Sequence, residues 1–169
     1  MTEIPDTFKA FRIHNDAEGY RSGIEDITID DLSEGDVVIR GEWSGINYKD
    51  ALAATGKGKI LQKYPLIGGI DVAGSVISSE CERFSPGDKV LVTGCNLSEK
   101  RDGGYSQYLR LDSNSVIALP AGLSTRDAMG IGTAGFTAAI SLFRMEALGQ
   151  TPQAGPIVMT GASGGVGSV

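Results

Sequence analysis

Three glycines spaced by three, Gly161, Gly164 and Gly167, are the residues of this sequence best suited to binding chemistry. Glycines let a chain turn sharply and bring its backbone against an anion, and a helix starting behind them offers unpaired N–H groups to phosphate oxygens. The β-prone run Pro156-Ile157-Val158-Met159-Thr160 leads straight into them. Strand, glycine turn and helix start, in that order, open a mononucleotide-binding βαβ unit. The spacing differs from the strict G-x-G-x-x-G, since Ala162 is followed by Ser163, and no lysine follows as a Walker A loop requires. On the pattern alone a purely structural glycine turn competes; the strand expected before it favours dinucleotide binding. That reading requires residues 156–160 to be extended and held within a sheet.

Other chemistry is bounded by which residues are scarce. There are two cysteines, Cys81 and Cys95, and one histidine, His14. Three residues cannot assemble a four-ligand structural zinc site, and two cysteines make no disulfide framework. His14 is expected as a surface side chain on the first strand. The net charge of −6 divides into −7 over residues 1–50 and +1 over the remainder. A non-specific nucleic-acid binder needs a basic face to neutralise phosphates, so no nucleic-acid partner is expected. Lys49, Lys57, Lys59 and Lys63 form a local basic run, read first as a solvated loop. The opening residues, with Glu3, Asp6 and Lys9, show no apolar leader, and the longest uncharged stretch, residues 147–169, carries 6 glycines and 2 prolines. No membrane partner is expected, and the setting expected is cytoplasmic.

The elements that must position these residues are mostly short strands. A length of 169 residues allows one domain, or one and part of another. Strands are expected over residues 8–13, 24–29, 37–40, 72–79, 90–92, 105–111 and 116–119. Turn signals such as Glu34-Gly35-Asp36 and Ser85-Pro86-Gly87-Asp88 separate them. Near-regular spacing of this kind suggests a small barrel or sandwich. One helix interrupts the series from Tyr48 to Ala54, with Asn47 as N-cap and Gly56 as its end. The character changes at Pro120-Ala121-Gly122. Ser124-Thr125-Arg126-Asp127 has the S-x-x-D form that opens a helix, and a second helix is expected from about Thr133 to Leu148, with Gly149 at its C-cap.

Read as T-G-x-x-x-G-x-G over Thr160, Gly161, Gly165 and Gly167, the glycine loop matches the short-chain dehydrogenase fingerprint, which opens the chain in that family. Here 159 residues precede it and most look β-rich, an order that fits the medium-chain family instead. The segments Trp43-Ser44-Gly45-Ile46-Asn47-Tyr48-Lys49-Asp50, Gly69-Ile70-Asp71-Val72-Ala73-Gly74, Phe84-Ser85-Pro86-Gly87-Asp88-Lys89-Val90 and Gly130-Ile131-Gly132-Thr133-Ala134-Gly135-Phe136-Thr137-Ala138 carry the likeness further. With them the sequence resembles a zinc-independent medium-chain dehydrogenase/reductase, close to the acryloyl-coenzyme A reductase and quinone-oxidoreductase branch. Zinc-dependent relatives place a cysteine at Asn47 and a histidine at Ile70, so no metal is expected.

The resemblance implies an α+β fold. A GroES-like β-barrel catalytic domain would span residues 1–123, and linking helices with the first strand and glycine loop of a truncated Rossmann α/β domain would span residues 124–169. On this reading the chain is an N-terminal fragment and inactive alone. The implied activity is NADPH-dependent reduction of an activated carbon–carbon double bond, with acryloyl-coenzyme A as leading substrate. Quinone or enone reduction is the alternative on the same scaffold. A non-enzymatic β-barrel binding module, its glycine tail a mere linker, is the third reading. The implied partner is a small molecule, an enoyl-coenzyme A or enone, and a homodimer of the full-length protein is left open.

Hydride transfer to an enoyl thioester builds negative charge on the thioester oxygen, which the site must meet with hydrogen bonds while a proton reaches the α-carbon. By resemblance the catalytic candidates are Tyr48 and Asn47. Tyr48 would lie against the cofactor, donating from its phenol or packing by its ring. Asn47 would hold substrate or, more simply, cap its helix, which Asp50 supports. The implied cofactor contacts are Tyr48, Thr133 and Thr137 near the nicotinamide and Ser163, Gly164, Gly165 and Val166 at the pyrophosphate. A threonine in a helix can equally bond the preceding turn. Lys57 and Lys59 could meet a coenzyme A phosphate, behind the solvated reading. NADPH over NADH rests on the resemblance, because the residue that discriminates them is expected about 20 residues beyond the loop.

Overall fold

A computed structural model describes residues 4–169; Glu3, cited above for the chain's opening, lies outside them. An N-terminal hairpin is built from β1 (Phe8–Asp16), which buries Phe8, Ala10 and Ile13, and β2 (Gly19–Ile27), which buries Ile27; they pair in unbroken register from Phe8 with Ile27 to Asp16 with Gly19. β4 (Leu66–Ile67) adds to the other edge of β1, giving a three-stranded sheet in the order β2-β1-β4. The second sheet has five strands in the order β7-β3-β5-β6-β8, made of β3 (Val37–Trp43), β5 (Asp71–Ser79), β6 (Lys89–Thr93), β7 (Tyr108–Leu111) and β8 (Ile117–Ala118). Every pairing is antiparallel. The expected single strand over residues 105–111 is divided between the two sheets. Phe11 N–H donates to the Tyr105 carbonyl (2.8 Å), and Gln107 N–H to that of Lys9 (3.1 Å). Residues 108–111 then pair with β3.

The main core lies on the five-stranded sheet, where Val37, Ile39, Val72, Val76, Val90, Val92, Leu109 and Leu111 are buried together. A smaller cluster, Phe8, Ala10, Ile27, Leu32 and Ile67, fills the space under the hairpin. Each buried Val, Ile, Leu or Phe side chain among them contributes about 1.5–3 kcal/mol by leaving water. His14 departs from its expected place at the surface. Its side chain is only 14% exposed, and Nε2 lies 2.6 Å from Glu25 Oε1 on the paired strand.

α1 (Tyr48–Thr55) starts after Asn47 in extended conformation and ends at Gly56 in the left-handed region. α2 (Thr125–Ala147) opens at the expected Ser124 signal, where Ser124 Oγ accepts the Asp127 N–H (3.1 Å) and caps the helix, and the helix expected from about Thr133 is its continuation. It continues across a kink at Gly132, whose φ of 48° and ψ of −156° lie where only glycine is at ease. Before the kink, Ala128 and Met129 pack on Ala73 of β5. Beyond it, Phe136, Ile140 and Phe143 face outward.

Residues 156–160 are the main correction. They form no strand, and Val158 is 90% exposed. A strand needs a neighbour to pair with its N–H and C=O groups, and among the described residues no strand pairs with this run. Its β propensity alone does not order it. The first strand of an α/β domain expected here is therefore absent, whereas the glycine turn that it was to feed does close. Gly164 N–H donates to the Gly161 carbonyl, and Ser168 N–H to that of Gly164, both at 2.9 Å. No helix of the described residues is long and apolar enough to cross a membrane.

Candidate functional site

An acid buried among apolar strand residues must have partners, and Asp71, 1% exposed at the start of β5, has three donors. Its Oδ2 accepts Asn47 Nδ2 (2.8 Å) and Thr133 N–H (3.1 Å), and its Oδ1 accepts the Thr133 hydroxyl (2.6 Å). One carboxyl group thus joins the N-cap of α1, the end of a core strand and the first residue past the α2 kink. Two glycines make room for it: a Cβ at Gly45 or at Gly132 would stand 3.2 Å from Oδ2. Asp71 was absent from the candidate residues. The signal for it is a single acid between Ile70 and Val72-Ala73, at the head of the strand expected over residues 72–79.

Asn47 therefore does more than mark a helix start. A carboxylate offers acceptors only, so the amide must turn its NH₂ to Asp71, leaving Oδ1 for another donor. The cap is completed from the other side by Asp50, whose Oδ2 accepts the Asn47 N–H (2.8 Å) and whose Oδ1 accepts the N–H of Ile70 (3.0 Å). Tyr48, the first residue of α1, is 80% exposed, its ring standing free of the core. Behind it Tyr105 donates its hydroxyl to the Gly45 carbonyl (3.1 Å). Burial first, and the nearby Asp50 charge second, push the Tyr105 phenol well above its ordinary value, so it stays a donor.

The remaining candidates divide between two places. Thr133 faces Asp71, so its hydroxyl is committed inward. Thr137, one turn on, is exposed and donates to the Thr133 carbonyl (2.7 Å), the back-bond open to any helical threonine. Ser163, Gly164, Gly165 and Val166 lie in the exposed glycine turn. That turn folds against the later part of α2, enclosing a cavity of about 830 Å³ with Ala138, Leu142 and Met145 on one wall and Gly161, Gly165 and Val166 on the other. Asn47 and Thr133 are thus brought to one carboxyl group, and the glycine turn to the same helix as Thr133. Tyr48 has no side-chain hydrogen bond linking it to either. A separate, largely apolar cavity of about 540 Å³ runs beside α1 and Tyr105.

The sequence profile of the alcohol dehydrogenase GroES-like domain matches residues 33–121. The chain is 53% identical over 137 residues to the probable acrylyl-CoA reductase AcuI of Escherichia coli (strain K12), covering 81% of this chain and 42% of that protein. It is 44% identical over 162 residues to the putative quinone oxidoreductase YhfP of Bacillus subtilis (strain 168), covering 96% and 49%. The crystal structure of that organism's yhfP protein, with NAD bound, superposes with a TM-score of 0.90 at 43% identity, covering 97% of this chain and 50% of that one. The yhdH oxidoreductase of Salmonella enterica in complex with NADP superposes with a TM-score of 0.91 at 46% identity, covering 95% and 49%. The chain spans about half the length of the curated relatives it matches.

Proposed function

The chain belongs to the alcohol dehydrogenase GroES-like domain family, in its zinc-independent medium-chain reductase branch, and from that premise we propose that it is the catalytic-domain side of an NADPH-dependent enoyl-thioester reductase. Residues 1–123 would be the catalytic domain and residues 124–169 the entry to the dinucleotide-binding one. The observation that carries this reading is the Asp71 junction. It locks the start of α1, where Asn47 and Tyr48 stand, to the helix against which the glycine turn folds. The identity to an acrylyl-CoA reductase supports the substrate, and two relatives with NADP or NADPH bound, against one with NAD, support NADPH.

Although residues 156–160 form no strand to feed it, the open backbone of the glycine turn supports the pyrophosphate reading. A Cβ at Gly161 or Gly165 would meet nothing within 4 Å, so the backbone there is open to close approach. Gly167 closes the turn, because a Cβ there would stand 2.4 Å from the Gly161 carbonyl oxygen. Ser163, Gly164, Gly165 and Val166 would hold the diphosphate, with Thr133, Thr137 and Tyr48 toward the nicotinamide. When bound, NADPH supplies the hydride that adds to the β-carbon of the enoyl group.

The chain's own residues then manage charge. The exposed Tyr48 phenol donates a hydrogen bond to the thioester oxygen as enolate character develops, the Asp71-oriented Asn47 amide holds the acyl end, and the α-carbon takes its proton from solvent water as the enolate collapses to the saturated thioester. Tyr48→Phe in the full-length enzyme is expected to lower kcat about 100-fold with KM little changed; parental kcat in that variant overturns the assignment. The quinone reading is supported by the name of the Bacillus subtilis relative. Rates of NADPH oxidation by the full-length protein with acryloyl-coenzyme A and with a soluble quinone decide between them. The thioester is expected to be preferred, and inactivity with both would favour a binding module. The 169-residue chain alone is expected to show no measurable NADPH oxidation.

A further inference from the structure

Between β6 and β7, three residues other than glycine take left-handed backbone: Cys95 at φ 46°, Asn96 at 65° and Ser98 at 57°. Side chains resist that region, and such residues persist only where their surroundings fix them. Here the fixing is thorough. The Asn96 carbonyl accepts the N–H groups of Glu99 (3.2 Å), Lys100 (3.1 Å) and Arg101 (3.2 Å). Leu97 is buried in the main core, and Ser98 has no exposed surface. Gly94 N–H donates to the Ile70 carbonyl (2.7 Å), and Thr93 just before it pairs with Asp71. Residues 94–101 are thus a stiff strap rooted at the head of β5, beside the Asp71 junction.

The strap reaches α1 through Glu99. Its Oε1 accepts a hydrogen bond from Lys49 Nζ, and its carbonyl accepts the Gln62 N–H (2.8 Å). Lys49, expected in a solvated basic run, is therefore engaged. With side chains 41% and 25% exposed, such an ion pair adds little to stability. Its use lies in where it holds. Asn47 and Asp50, three residues apart on one side of the first turn, tie that turn to the head of β5: Asn47 Nδ2 donates to Asp71, and the Ile70 N–H to Asp50. Lys49 points about 100° round the helix from Asp50, so Glu99 grips a different side. Two grips on different sides stop the turn from rolling about its axis. Roll is the motion that would displace Tyr48, whose 80% exposed ring takes its place from the helix backbone alone.

We propose that Glu99, held by the strained strap and acting through Lys49, is a positioning residue for Tyr48. The inference rests on the reductase reading, in which the Tyr48 phenol meets the thioester oxygen. It goes beyond that reading by giving a use to backbone strain and to an ion pair that stability does not explain. Geometry at a reacting atom is demanding, and a displacement of about 1 Å costs up to about 100-fold in rate.

The test follows acryloyl-coenzyme A reduction by the full-length enzyme. Glu99→Ala is expected to lower kcat about tenfold with KM little changed, and to hold Tm within about 2 °C of the parent. The charge-swapped pair Lys49→Glu/Glu99→Lys, which rebuilds the contact in reverse, is expected to recover most of that loss. In a Tyr48→Phe background, Glu99→Ala is expected to lower kcat no further, since a residue that acts through the Tyr48 phenol then has nothing left to position. A merely structural role would make the two losses multiply. With Tyr48→Phe itself impaired, parental kcat in Glu99→Ala, no recovery in the swapped pair or multiplied losses in the double variant overturns the positioning role while the reductase reading stands. Parental kcat in Tyr48→Phe removes that reading of Tyr48, and the positioning role with it.

Discussion

Asp71 is the residue on which most of the site's geometry converges, and its loss should be costly out of proportion to its size. Asp71→Ala leaves Asn47 Nδ2 and both Thr133 donors without their acceptor in a buried place. We expect a loss of about 2–4 kcal/mol in urea denaturation, against about 1 kcal/mol for Thr133→Val, which removes one hydroxyl and keeps the rest. Glu42 of β3 provides a pH-dependent counterpart. Partial burial raises its carboxyl pKa, but hydrogen bonds from Lys89, Ser75 and Thr125 together outweigh that and hold it below its ordinary value of 4.5. A carboxyl lowered in the folded state stabilises above its unfolded value and loses that contribution as pH falls through the folded one. Glu42→Gln should therefore be less stable than the parent at pH 7, with the gap closing as pH drops below 4.5 in parallel denaturation curves.

Among the elements, α2 is decided by one backbone conformation. Gly132→Ala would force a Cβ into a left-handed φ and set it 3.2 Å from the Asp71 carboxylate. A cost of about 1–3 kcal/mol is expected, read as a fall in Tm by thermal circular dichroism. This element also shows how far sequence signals carry. Ser124 and Asp127 announce its start because a cap is a local interaction between near neighbours. Asn47 and Gly56 bound α1 for the same reason. Residues 156–160 failed because a strand is made by the strand beside it, and no strand pairs with Ile157-Val158-Met159 among the described residues. Asp71 went unnoticed as a junction because its partners are 24 and 62 residues away. Such distances leave no periodicity to read, only the oddity of an acid in an apolar strand.

At the scale of the whole molecule, apolar burial is uneven. The two sheets and the first turns of α2 enclose a close-packed interior, whereas Phe136, Phe143, Leu148 and Val158 are 55%, 71%, 88% and 90% exposed. Phe136, Ile140 and Phe143 lie at helical spacing on one face of α2. An apolar face of this kind does not stay bare in water. The 169-residue chain on its own is expected to bind a hydrophobic dye and to self-associate with rising concentration in sedimentation velocity runs. Phe143→Ser/Val158→Ser should reduce both signals without altering the far-ultraviolet spectrum.

The bend at Gly132 also determines where motion can start. Thr133, immediately after it, is gripped twice by Asp71, so the joint behaves as a pinned elbow rather than a loose one. Any swing of the distal turns that carry the glycine loop must either drag β5 along or begin further out, and Gly135, the next position without a side chain, is the earliest pivot the helix offers. A swing of those distal turns would then carry the loop through an arc while the turn beside Asn47 keeps its place.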